Sequence, residues 1–328
     1  MNCNLDVNFM GTANIFFTVF TPTFNRAIVL HRVYESLLQQ TFNNFEWLII
    51  DDGSTDNTAE LVSRWSHNQS TWFSIRYYRQ ENQHKKVAHN FAVEHARGEL
   101  FICLDSDDKC IPEALEKLYF HWHQIPASER HQFSSIYTLC CDEFGCPIGD
   151  YFPCESWIDS TTLDIAYKFK IRGEKWGVYR TSILRKFPFP EEATKLPGLV
   201  MESVVWNKIS ENYRTRFLND HLRIYFSNCL DPNIVSISSI SQIKLNSPGM
   251  LFSHLHFLNQ YFSYCLSDPI TFIKSGALIT RFYFHCDSRL DNNYLPDGIF
   301  PKILVIILFP LGFTLYLRDL LRQKFGDS

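Results

Sequence analysis

Asp105-Ser106-Asp107 stands directly after the apolar run LFICL at 100–104. Carboxylates spaced this way at a strand end can both reach one cleft. Mg²⁺ and Mn²⁺ prefer oxygen ligands and commonly join a carboxylate to substrate phosphates. A polar strand-to-helix turn capped by Asp108 would give the same letters, and for an isolated match that plainer reading is the commoner one. Here the context adds weight. An earlier apolar run, FEWLII at 45–50, ends in a second acidic pair, Asp51-Asp52. Adjacent carboxylates at a strand terminus repel unless a base N–H, a ribose hydroxyl or a cation lies between them. Gly53 supplies a permissive backbone after the pair, and Ser54, Thr55 and Asp56 can cap the helix that follows.

The elements that must position these residues alternate between strand and helix. Residues 15–20 (IFFTVF) are continuously apolar, as in a strand covered on both faces, and 21–26 breaks the run with Pro22. Leu30, Val33, Tyr34, Leu37 and Leu38 fall at helical spacing, and 58–65 is a second helix. A short strand at 74–78 precedes a helix bearing Ala88, Phe91, Ala92 and His95, closed by Gly98 at its C′ position. Pro112 opens the helix after the Asp105 turn. Alternation of this kind implies an α/β fold with a mostly parallel sheet flanked by helices, whose ligands collect beyond the carboxyl ends of the strands. Both acidic pairs lie there, so they are expected to converge. Further strands are expected near 134–141, 176–179, 215–218 and 222–226, with a helix over 202–213.

TPTFNR, EWLIIDDGSTDNT and ENQHKKVAHNFAVEHARGELFICLDSDD, in this order and spacing, closely resemble glycosyltransferase family 2. The resemblance is strong over 15–125 and moderate over 170–226. It implies a GT-A type, Rossmann-like nucleotide-binding domain. It further implies that Pro22, Thr23, Asn25 and Arg26 form the first nucleotide-facing loop, that Asp52 or Asp51 contacts the base, and that Asp105 serves the ribose or metal region. Asp107 would be the main ligand of a divalent cation, Mn²⁺ or Mg²⁺. Lys85 or Lys86 would meet the pyrophosphate, in a loop where the family often has Gly and this chain has Gln83-His84. Trp176, in GEKWGVYR, would stack on a sugar or serve as core, and Glu174 and Lys175 fall near the acceptor.

Inverting sugar transfer also needs a carboxylate to take the acceptor's proton. Glu202 is the candidate, because Val205, Trp206, Ile209 and Tyr213 follow it at helical spacing and put it at the head of a buried stripe. Family members often carry Glu-Asp here, whereas this chain has Glu202-Ser203, so the role falls to Glu202 by default. A first-turn Glu favoured by the helix dipole is the plainer account.

The remaining sequence sets bounds. A net charge of −4 gives no electrostatic reason to expect nucleic acid as a partner. The ten cysteines include no C-x-x-C pair, and 1–14 has neither a basic start nor a long apolar run. Reduced thiols in a cytoplasmic protein are therefore expected. HWH (His121, His123) and HLH (His254, His256) read as packing, since positions two apart on a helix diverge. Residues 303–317 (ILVIILFPLGFTLYL) would span about 22 Å as a helix, short of the ~30 Å hydrocarbon core, and are interrupted by Pro310 and Gly312. With Lys302, Arg318, Arg322 and Lys324 beside them, they suit the inner face of an anionic membrane.

The expected organisation is a tail (1–14), a GT-A catalytic domain (15–230, its nucleotide-sugar half to 125 and its acceptor half from 126), and a helical C-terminal region (231–328) with a membrane-interacting segment at 299–324. The expected function is metal-dependent inverting transfer of one sugar from a nucleoside diphosphate donor, a uridine one, to a glycan or lipid-linked acceptor in surface polysaccharide or lipopolysaccharide synthesis. A sugar-phosphate nucleotidyltransferase is the enzymatic rival, but 21–26 lacks its glycine-rich phosphate loop. A catalytically silent glycan-binding scaffold is the other.

Overall fold

A computed structural model describes residues 5–6, 14–226, 239–286 and 294–325. The chain divides into two compact units, the first comprising 1–166, 171–188 and 209–231, the second 167–170, 189–208 and 232–328. Residues 189–208, expected in the acceptor half, fall in the same unit as the C-terminal helices.

The first unit holds strands β1 (Leu5–Asp6), β2 (Phe17–Thr23), β3 (Phe45–Asp51), β4 (Ser74–Arg79), β5 (Leu100–Cys103), β6 (Lys109–Cys110), β7 (Phe133–Asp142), β8 (Ile158–Ser160), β9 (Lys175–Arg180) and β10 (Arg214–Tyr225). Helices α1 (His31–Leu38), α2 (Thr58–Ser66), α3 (His84–His95), α4 (Ala114–Gln124) and α5 (Thr181–Leu184) connect them. The sheet order is β1-β4-β3-β2-β5-β9-β7-β10-β6, with β8 on β10. β4, β3, β2 and β5 are mutually parallel, and β9 runs antiparallel between β5 and β7. Phe17, Trp47, Leu48, Ile49, Leu100 and Ile102 are almost wholly enclosed, as strands covered on both faces require.

Several local expectations change. Pro22 does not end β2, because the strand runs in register with β3 through Thr23↔Asp51. Pairing with β5 stops at Phe20↔Cys103, so the missing N–H of Pro22 removes no ladder bond on that side. Gly98 is no helix cap. α3 ends at His95 with Ala96 extended, and a Cβ on Gly98 would collide with the backbone of Thr18 and Phe17. Close backbone approach, rather than a left-handed φ, demands glycine there. The strands expected at 215–218 and 222–226 are one, β10, with register shifts against β7 between Phe217 and Arg223.

The second unit holds α6 (Glu191–Thr194), most of α7 (Ser203–Ser210), α8 (Ile240–Tyr261), α9 (Pro269–His285) and α10 (Ile299–Phe325). Parts of the helical region expected from 231 onward lie outside the described residues. α7 is shorter than the expected 202–213. Of the expected stripe Val205 and Ile209 are buried, whereas Trp206, Tyr213 and Glu202 itself are partly exposed. α10 is continuous through Pro310 and Gly312, against expectation. The Thr314 hydroxyl donates to the Pro310 carbonyl in the next turn. At 27 residues the helix is about 40 Å long. Its inward side is Pro301, Val305, Gly312 and Asp319, the last a fully enclosed carboxylate held by Arg281 and His285 of α9.

His254, in α8, is buried with Nδ1 bonded to Ser275 of α9 and its ring stacked on Phe282. Burial pushes its pKa from 6.5 down to about 4. The unfolded chain therefore takes up this proton near pH 6.5 while the folded chain resists it. Stability should fall by about 3 kcal/mol as pH drops from 6.5 to 4. Urea midpoints measured across that window should show the decline, and His254→Gln should flatten it. An unchanged slope in the variant would contradict this assignment.

Candidate active site

Three neighbouring strands end at one edge of the first unit. β2 leads into Phe24–Arg26, β3 into Asp51–Asp56, and β5 into Asp105–Asp108. The first two loops are laced together. The Asn25 amide donates to Ser54 Oγ, Asn25 Oδ1 accepts from the Thr55 amide, and the Asp52 amide donates to the Thr23 carbonyl at 2.8 Å. Asn25 adopts φ +53°, a region asparagine tolerates, and Gly53 adopts φ +91°. Thr23 Oγ1 is buried at this tip with no hydrogen-bond partner among the described residues. Pro22 and Arg26 are partly exposed beside it.

The adjacent carboxylates have separate environments. Asp51 is fully enclosed, accepting from the Ser54 amide and the Tyr77 hydroxyl. Burial together with this hydrogen bond to a carboxylate raises the Tyr77 pKa. Asp51 braces the turn and offers no surface to a ligand, which corrects its assignment as a base contact. Asp52 lies nearer the rim and accepts from Gln80 Nε2 (2.7 Å), the Gln83 amide (2.9 Å) and the His84 amide (2.8 Å). The partner that the acidic pair requires is thus, in large part, the start of α3.

α3 extends the connection to the third tip. Lys85 Nζ lies 2.7 Å from Asp105 Oδ1, both groups being about one-third exposed. Lys86 turns inward, and burial, opposed by Asp52, lowers its pKa to about 8. Of the two lysines, Lys85 is the one at the rim. His84 adopts φ +69°, the left-handed conformation that glycine would take without strain.

At Asp105–Asp108 the acids differ again. Burial raises the pKa of Asp105, but Lys85 and Arg223 outweigh it and hold the group below its usual value. Asp108 is almost wholly enclosed. Burial and the charges of Asp105 and Asp107 push it up to about 7, despite the opposing pull of Arg223 and the Phe226 amide. Asp107 is partly exposed, and its carboxylate has no hydrogen-bond or ion-pair partner among the described residues. Its carbonyl accepts from Arg32. This free oxygen donor, with Asp105 beside it, fits a cation whose remaining ligands come from a diphosphate.

Arg223 was not anticipated. Antiparallel pairing of β10 with β6 places it opposite Cys110, just after the acidic turn. Its guanidinium approaches Asp108 (3.5 Å), Asp105 (3.9 Å) and Glu174 (3.3 Å). A long-range strand pairing creates this cluster, so no sequence motif marks it. Trp176 requires a correction, being a core residue whose indole N–H donates to the Cys103 carbonyl. It steadies the end of β5 and presents no face to a sugar. Glu202, in the second unit, accepts from the Trp206 indole at 3.4 Å, and its carbonyl caps the first turn of α7. The histidine pairs separate as expected: His121 faces Asp220 and Gln124, whereas His123 packs on Tyr119.

The positive φ at His84 gives a direct test. His84→Gly keeps the amide that bonds Asp52 and should raise stability by up to about 1 kcal/mol in urea denaturation. A loss of stability would contradict backbone strain at this turn.

Residues 18–128 match the family described as "Glycosyl transferase family 2". An uncharacterized glycosyltransferase of Rickettsia felis is 38% identical over 99 residues, which is 30% of this chain and 16% of the relative. The putative teichuronic acid biosynthesis glycosyltransferase TuaG of Bacillus subtilis is 34% identical over 100 residues, 30% of this chain and 39% of its own length. The likeness thus covers less than half of these relatives. Among solved structures, S. aureus TarS 1–349 in complex with UDP-GlcNAc superposes with a TM-score of 0.55 at 20% identity, covering 92% of each chain. A mannosyltransferase from Pyrobaculum calidifontis in complex with GDP-Man and Mn²⁺ gives 0.51 at 14% identity, covering 97% of this chain and 89% of that one. The fold is of the GT-A type, and residues 18–128 resemble glycosyl transferase family 2.

Proposed function

We propose that the chain transfers a single sugar, with inversion, from a nucleoside diphosphate sugar to a glycan or lipid-linked acceptor. The observation that carries this reading is the junction made by α3, which holds Asp52 of one strand tip and, through Lys85, Asp105 of another. A nucleotide lying along that edge would meet the Asn25 and Ser54 loops, the partnerless Thr23 hydroxyl and the Asp52 rim. Its diphosphate would then lie toward Lys85 and Asp107. A divalent cation, Mn²⁺ or Mg²⁺, held by Asp107 with Asp105 beside it, would offset charge on the leaving diphosphate. Lys85 adds a protein charge to the same region, and Arg32 fixes the backbone of Asp107. Glu202 stands as the sequence-based candidate for accepting the acceptor's proton.

The UDP-GlcNAc bound by TarS supports a uridine donor, and the teichuronic acid role in the name of TuaG supports a surface polymer as product. Thermal-shift measurements with UDP and GDP, each with and without Mn²⁺, test the reading, because a ligand favouring the native state stabilises it by mass action. UDP should stabilise the protein, Mn²⁺ should increase the shift, and Asp107→Ala should remove only the increase. No shift with either nucleotide, or a persistent metal increment in the variant, would refute it.

We further propose that α10 seats the chain on the inner face of a membrane. Ile299, Phe300, Ile303, Ile306, Ile307 and Leu311 are between 47% and 75% exposed, and the helix is long and apolar enough to cross a bilayer. Lys302 near its start and Arg318, Arg322 and Lys324 near its end suit anionic headgroups. Ile306→Glu/Ile307→Glu alters the outward side alone and should shift the protein from the membrane to the soluble fraction. Unchanged membrane recovery would exclude this face as the anchor.

A further inference from the structure

We infer that Glu174, rather than Glu202, is the carboxylate that accepts the proton of the attacking hydroxyl; this rests on the sugar-transfer reading above. Glu174 immediately precedes β9, at the strand edge where β5 ends, and its side chain is 56% exposed. Arg223, whose side chain is only 7% exposed, holds it at 3.3 Å and faces Asp105 through its other terminal nitrogen at 3.9 Å. One guanidinium therefore links the metal-side aspartate to an open carboxylate, within the first unit. Backbone contact fixes the approach from behind. The Asp150 amide donates to the Arg172 carbonyl, the Arg172 amide donates to Asp150, and Gly173 packs against Gly149. Arg223 is a positioning residue here, and burial of its charge is offset by the acids around it.

The step balances simply. The acceptor oxygen bonds to the anomeric carbon, and the bond from that carbon to the diphosphate oxygen breaks. The diphosphate leaves with the bonding electrons, and the hydroxyl proton passes to a Glu174 oxygen and from there to solvent. Glu202 differs in its surroundings: its carboxylate accepts from the Trp206 indole, whereas Glu174 shares a guanidinium with Asp105.

A nucleophile that carries no proton bypasses a base. The test compares the wild-type chain, Glu174→Gln and Glu202→Gln, with UDP-GlcNAc and Mn²⁺. Turnover is followed with water as acceptor and, separately, with sodium azide; UDP binding is measured in parallel. In Glu174→Gln, hydrolysis should fall about 100-fold, as expected for loss of a general base. Azide turnover and UDP binding should stay within about threefold of wild type, and in Glu202→Gln the ratio of hydrolysis to azide turnover should match that of wild type. Equal loss of both reactions in Glu174→Gln would reduce the residue to a structural role. The azide bypass appearing in Glu202→Gln alone would return the task to Glu202. Wild-type protein that turns over UDP-GlcNAc with neither nucleophile would overturn the transfer reading itself, and the inference with it.

Discussion

The first turn of α3 is the constraint on which the candidate site depends. A helix start leaves its leading N–H groups without partners inside the helix, and Asp52 at the β3 tip supplies acceptors to Gln83 and His84. This contact serves both elements, because it satisfies orphan donors and places a carboxylate against the positive end of the helix dipole. The adjacent Lys85 then reaches Asp105 beyond β5. Tips on either side of β2 are thereby held to one helix end by hydrogen bonds.

Charge is distributed unequally within that cleft, and the inequality suits a phosphate ligand. Asp105, Asp107 and Asp108 crowd one turn, which would be unfavourable without compensation. Lys85 offsets Asp105, Arg223 lies among the acids, and Asp108 carries less charge than a free carboxylate, its pKa raised to about 7 by burial and its acidic neighbours. Asp107 alone keeps an uncommitted carboxylate at the surface. A diphosphate would bring further negative charge, which a cation at Asp107 would bridge.

Much of this was legible in the sequence because its causes are local. The apolar runs before Asp51 and Asp105 marked buried strands, and the period of Leu30 to Leu38 marked α1. The rest depends on contacts that no window contains. Gly98 looks like a helix cap until Thr18 is seen against it, and Pro22 looks like a strand breaker until β5 is seen to stop short. Asp51 and Asp52 are adjacent in sequence, yet one braces a turn and the other caps a helix, a division set by Tyr77 and α3. Arg223 and Glu174 meet only because β9 and β10 enter the sheet beside β7, far along the chain from the acidic motif. Trp176 carried an apolar face and a polar edge, and the sheet used both internally. Pro310 suggested a break, but α10 continues past it.

The central claim is that carboxylates from separate strand tips serve one cation and one diphosphate. The most direct measurement is a crystal structure of the chain with UDP and Mn²⁺, with the ion placed by its anomalous scattering. A single strong peak is expected, bonded to an Asp107 oxygen and to the diphosphate, with the uracil on the Asp52 side. A nucleotide bound away from the α3 N-terminus, or a manganese peak that leaves Asp107 unliganded, would contradict it.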